Sequence, residues 1–208
     1  MSSTSLERLL EHPGIWRGGR SARIAAVPTG FAALDARLPG GGWPQHGLIE
    51  ILLSRWGVGE LYLLMPALAR LTQHAAARWC AWVAPPFEPC APALAAHGVR
   101  LERVLVVRAE SPLWPAEQAL RSGACDAVLT FVRRVPARSL RRLQLAAEQG
   151  RTLAFLVRTL ATRTLQEPTC AVLRLSVEPT AQGVRVTLLK SRGGPRGSLE
   201  LALDAWPA

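Results

Sequence analysis

The chain alternates between short unbroken apolar runs and stretches in which apolar residues return every three or four positions. The unbroken runs Gly47–Leu53 (GLIEILL), Trp79–Val83 (WCAWV), 104–108, 126–132 (DAVLTFV) and 152–157 (TLAFLV) predict strands buried on both faces. Between them, helical periodicity predicts helices over 31–38, from about 59 to 77 with a bend at Pro66, near Ala91–Ala96, from the Ser111-Pro112 start to Arg121, and over Ala137–Gln149 before Gly150. Strands separated by helices imply a mostly parallel central sheet covered on both faces. The last third changes pattern. Residues 171–177 and 184–191 flank EPTAQG and predict an antiparallel hairpin, and 199–203 adds an edge strand.

The first residues form a separate piece. Thr4 and Glu7 make a capping box for a short helix that places Leu6, Leu9 and Leu10 on one face and ends at Pro13-Gly14. Gly18 and Gly19 then give an arm a flexible point before the main domain. The expected organisation is a helix and arm over 1–26 and one domain over 27–208. At 208 residues a single core suffices.

Composition narrows the classes. No apolar stretch reaches the ~20 residues a membrane helix requires, and the first residues lack a signal-peptide pattern, so a cytoplasmic protein with no membrane contact is expected. Cys80, Cys90, Cys125 and Cys170 lack CxxC spacing and the four histidines complete no ligand pattern, which implies reduced thiols and no metal. The net charge of +10 favours an acidic partner. However, Lys190 is the single lysine and asparagine is absent, the signature of GC-rich coding, so the charge alone leaves nucleic-acid contact open.

The candidate chemistry lies after the first buried strand. LSRWGVGEL places Gly57 and Gly59 where a phosphate loop would turn, but Glu60 and Leu61 stand where lysine and a hydroxyl residue belong. Exchanging a cation for an anion there changes the charge by two units, each worth about 4 kcal/mol at ~4 Å and an effective dielectric of ~20. A micromolar complex has only about 8 kcal/mol to lose. No cofactor and no catalysis are therefore expected.

The run VPTGFAALDARLPGGGWPQHGLIEILLS resembles the approach to the phosphate loop of RecA-type recombinases, with landmarks at Thr29-Gly30, Leu34-Asp35, Gly41-Gly42 and Glu50-Ile51. By that resemblance Pro86 replaces the catalytic glutamate, Thr130 or Phe131 the magnesium-binding aspartate, and Arg158 the γ-phosphate-sensing glutamine. Lys190 and Arg192 resemble a basic pair that reaches a neighbour's nucleotide. With the LERLLEHPGIWRGG arm, the chain resembles the ImuA family, SulA-related accessory proteins of SOS translesion synthesis. The resemblance implies a RecA-like α/β fold and a non-catalytic adaptor for RecA and for ImuB, an inactive polymerase homologue acting with a DnaE-type error-prone polymerase, with inhibition of RecA recombination as a consequence. Two alternatives stay open: a SulA-type cell-division inhibitor acting on FtsZ, and a divergent DNA-stimulated ATPase.

Partner-binding candidates are Leu6, Leu9, Leu10, Trp16 and Arg17 in the arm and Trp206 near the last residue, since aromatics near chain ends serve as interface anchors. Arg134, Arg138, Arg141 and Arg142 form a basic face opposite the Leu140, Leu143 and Ala147 stripe. It reads as a solvated helix face, or as a site for an acidic protein surface or weak DNA contact.

Overall fold

A computed structural model describes residues 25–159 and 167–202. Leu6, Leu9, Leu10, Trp16, Arg17 and Trp206 lie outside the described residues. In chain order the elements are β1 (Ala26–Val27), α1 (Ala32–Asp35), β2 (Trp43–Pro44), β3 (Gly47–Leu53), α2 (Glu60–Gln73), β4 (Trp79–Val83), α3 (Ala91–Ala96), β5 (Val104–Val107), α4 (Leu113–Arg121), β6 (Cys125–Val132), α5 (Ala137–Gln149), β7 (Leu153–Thr159), β8 (Leu173–Thr180), β9 (Gly183–Ser191) and β10 (Gly197–Ala202).

Eight strands form one sheet in the order β10-β9-β8-β3-β7-β6-β4-β5, and β1 pairs with β2 in a small ribbon. From β8 to β5 the neighbours run parallel. β8, β9 and β10 form an antiparallel meander. The expected RecA-like, mostly parallel architecture is thus corrected to a mixed sheet with few helices, in which the hairpin and edge strand continue the same sheet as an antiparallel meander. The physical reason is their alternation: Val184, Val186, Leu188 and Leu201 are buried on one side, while Arg185, Ser198 and Glu200 are exposed on the other. That is the pattern of an antiparallel sheet covered on one face only.

Every residue of β3 is buried, which explains its unbroken apolar run. Its side chains alternate between two cores. Ile49, Ile51 and Leu53 join Leu63, Leu64 and Leu68 of α2 with Trp43 and Phe155. Leu48 joins Ala116 and Leu120 of α4 and Leu140, Leu143 and Ala147 of α5, as the helical stripe requires. The 31–38 helix shortens to the single turn Ala32–Asp35, held by Thr29 N–H on Asp35 Oδ1 at 2.9 Å. Before it, Gly30 has φ +90°, and a Cβ there would lie 2.4 Å from the Pro66 Cβ of α2. Only glycine permits that approach.

One polar cluster interrupts the second core. Glu50 of β3 is fully buried and receives Arg158 Nη1 of β7 at 2.9 Å and Arg174 Nε of β8 at 2.9 Å. Arg174 Nη1 also donates to the Glu167 carbonyl at 2.6 Å. This cluster fastens the parallel strands to the first strand of the meander. Removing its carboxylate by Glu50→Ala leaves two buried guanidiniums without their anion and is expected to cost about 3–5 kcal/mol, read from urea unfolding. Replacing all three residues with apolar ones should cost much less.

Burial lifts the Cys80 thiol to about 12, with the Asp126 carboxylate the second cause. Cys125 and Cys170 are raised in the same direction, chiefly by burial. The folded chain thus keeps the Cys80 proton over a range in which the unfolded thiol, at 9.0, has lost it. Stability from this group is complete below that unfolded value and declines as pH climbs through the interval. Cys80→Ala is expected to flatten the fall in urea midpoint between neutral and strongly alkaline pH.

Candidate functional site

The loop after β3 adopts the turn that the sequence outlines but fills it from within. Gly57 and Gly59 have φ of +77° and +102°. Glu60, the first residue of α2, folds its carboxylate back: Oε1 accepts the Gly57 N–H at 2.9 Å and Oε2 the Val58 N–H at 2.9 Å. The side chain is 3% exposed. An anion at a helix N-terminus is favourable, and here the chain supplies it. The sequence presents Glu60 as a repulsive charge; the structure makes it the anion that the loop amides bind. Leu61 is half-buried against the first core.

Of the other expected nucleotide positions, Pro86 and Phe131 line the cleft beside this loop, and the basic ones lie away from it. Arg158 lies on the second-core side of the sheet and is committed to Glu50. Lys190 registers with Arg174, which registers with Glu50 in mid-strand, and its ammonium donates to the Thr169 carbonyl at 2.7 Å. Burial, the largest cause, lowers its pKa. Arg192 follows β9 still further from the loop, its N–H on the Val172 carbonyl at 3.1 Å. Phe131 packs instead with Trp56 and Trp82, at centroid separations of 6.1 and 6.3 Å, as an aromatic wall beside the loop.

Around that wall, two clefts run along the carboxyl ends of the parallel strands and a third lies between α4 and α5. The first, about 690 Å³, includes Gly59, Glu60, Pro86, Phe87 and Phe131. The second, about 440 Å³, shares Phe131 and takes in Glu110, Leu113, Arg133 and Arg134. The third, about 240 Å³, shares Ser111 and Leu113 with the second and adds Trp114, Arg142 and Leu143. Phe87 is 69% exposed and Trp114 67%. Neither was singled out as a partner anchor from sequence; the Pro-rich run around Phe87 was the available signal. Arg134, Arg138, Arg141 and Arg142 are all exposed on this end or on α5. Arg142 is held by Glu117 at 2.5 Å, and Arg141 lies toward Cys170, on whose thiol its charge acts.

No group of three or more His, Cys, Asp or Glu among the described residues is placed to hold a metal ion. No helix among them is long and apolar enough to cross a membrane.

Comparison with known proteins points one way. A family model described as "Cell division inhibitor SulA" matches residues 53–154. The chain is 33% identical over 121 residues to the cell division inhibitor SulA of Edwardsiella piscicida, covering 55% of this chain and 69% of that one. It is 29% identical over 135 residues to that of Yersinia enterocolitica, covering 63% of this chain and 79% of that one. The crystal structure of SulA from Pseudomonas aeruginosa aligns with a TM-score of 0.47 and 28% identity, over 54% of this chain and 98% of that one. The family model and the two sequence relatives correct the resemblance to ImuA. With it go the translesion-synthesis adaptor role and RecA, ImuB and the DnaE-type polymerase as partners; what is supported is the division-inhibitor alternative. The relatives are named as cell division inhibitors.

Glu60→Ala is expected to cost about 2 kcal/mol in urea unfolding, because the Gly57 and Val58 amides lose their acceptor. Magnesium ATP should leave the thermal midpoint of the unaltered protein unmoved.

Proposed function

This chain belongs to the SulA family, and from that premise we propose that it is a cytoplasmic inhibitor of cell division that binds the division protein FtsZ and turns over no substrate. The observation that carries the reading is the loop itself: its anion-binding amides are occupied by Glu60, beside an end of the sheet that exposes Phe87 and Trp114. Such an end is suited to contact. Large aromatics on an exposed rim are the side chains that anchor protein interfaces. The span matched by the family model, 53–154, contains the loop, both aromatics, the two arginines that follow β6 and those of α5. In this reading, with an arm over 1–26 and a body over 27–208, the contact lies on the body, which holds the matched span.

The test is assembly of purified FtsZ with GTP, followed by sedimentation. Protein added at one equivalent should reduce the polymer to a small fraction of the control, and overproduction in cells should give long filaments without septa. Undiminished polymer at several equivalents, together with normal cell length, would overturn the proposal.

A further inference from the structure

Arg134, Arg138, Arg141 and Arg142, whose pattern fits either a solvated face or a docking site, are not equivalent in space. Arg142 is neutralised by Glu117, which Arg121 also approaches at 3.9 Å. Arg141 lies near enough to Cys170 for its charge to act on that thiol. Arg134 and Arg138, together with Arg133, are exposed and make no ion pair among the described residues. Arg133 and Arg134 line the second cleft, where Glu110 is the acidic residue. Arg138 lies on α5 one turn before Arg142, which lines the third cleft, and the second cleft meets the third at Ser111 and Leu113.

The third cleft is apolar at its floor, and the Glu117 carboxylate on its lining is held by Arg142. Leu113 is common to both clefts, Leu143 of α5 closes the third, and Trp114 stands at its edge mostly in solvent. A basic rim beside an apolar slot of about 240 Å³ is complementary to one kind of protein segment. We propose that this groove is the docking site for an acidic segment of the protein partner, one apolar side chain seated against Trp114, Leu113 and Leu143 and neighbouring carboxylates on Arg133, Arg134 and Arg138. The proposal deepens the reading of the chain as an FtsZ-binding inhibitor and rests on it for the identity of the partner. Arginine and tryptophan together are the composition of an interface hot spot, and arginine forks bind carboxylates in two-point fashion. Single-stranded nucleic acid is the less fitting occupant: it is held by cations that track a backbone over several nucleotides, whereas these are confined to one corner beside one slot.

Two measurements decide it. In the first, FtsZ binding is compared for the unaltered protein, Trp114→Ala, Arg134→Glu/Arg138→Glu, and Arg196→Glu, an exposed charge before β10 at the opposite end of the sheet. The first two variants should lose at least tenfold in affinity, and the Arg196 control should lose far less. Binding by the unaltered protein with equal affinity for all variants overturns the groove and leaves the inhibitor reading standing. No binding by the unaltered protein overturns the inhibitor reading, and the second measurement then decides the groove alone. It titrates a synthetic amphipathic peptide of glutamate and leucine, and separately an oligothymidine strand, against the same proteins. Peptide binding that falls at least tenfold in both groove variants and weakens with added salt supports the proposal. Peptide binding that is absent or unchanged by the substitutions overturns it, as does tighter, substitution-sensitive binding of the oligonucleotide. Native circular dichroism of each variant separates loss of contact from loss of fold.

Discussion

The Glu60 carboxylate, bound to the amides of Gly57 and Val58, is the constraint on which the functional end of the molecule depends. A glycine-rich turn leading into a helix points N–H groups into one small volume, and those groups must be satisfied. Where a phosphate satisfies them, the loop is ordered only with ligand present. Here the anion is covalently part of the helix, three residues from one donor and two from the other. Its entropic cost of association is small, and the loop keeps its shape unaided. The same carboxylate shuts out a second anion, since two like charges in that space would repel by several kcal/mol at an effective dielectric of ~20.

A second anion organises the rest of the sheet. Glu50 sits where β7, β3 and β8 lie side by side, and its two arginines come from strands on either side of it. Parallel pairing alone would leave the junction between β3 and the meander to backbone hydrogen bonds and aliphatic contacts. The ion cluster adds a directional requirement: only one register brings both guanidiniums to the same carboxylate. Arg174 reaches further, to the Glu167 carbonyl, and Lys190 to that of Thr169, so the chain entering β8 is tied down by the same charges.

What the sequence made legible follows from the range of each interaction. The seven buried residues of β3, the Leu140–Leu143–Ala147 stripe of α5 and the order of elements depend on local periodicity, and they are where it placed them. The Glu50 cluster joins residues 108 and 124 positions apart, and no local pattern announces it. The hairpin and the 199–203 edge strand were legible, but their place in one mixed sheet was not, because β8 pairs with β3, a strand far away in sequence. The family was misread for a related reason. The resemblance to ImuA rested mainly on the arm and on residues 27–54, almost wholly outside the 53–154 span that carries the family match. Glu60 was noticed, but as a charge; only the geometry makes it a ligand of its own loop.

The segment carrying Phe87 shows how the same end of the sheet keeps an apolar side chain in water. Ala84 closes β4 with φ of +51°, a left-handed conformation that costs a non-glycine residue about 1–2 kcal/mol. Its N–H is nonetheless held by the Val107 carbonyl of β5 at 2.8 Å, so the strained turn is fixed by the sheet. Pro85, Pro86 and Pro89 then restrict the backbone on both sides of Phe87. A flexible loop would fold an exposed phenylalanine onto the nearest apolar surface, and ordering it for a partner would cost about 1 kcal/mol or more per residue. Strain at Ala84 and stiffness in the prolines settle that cost during folding. Together with an anion site filled from within, they leave an end of the sheet whose shape is complete before any partner arrives.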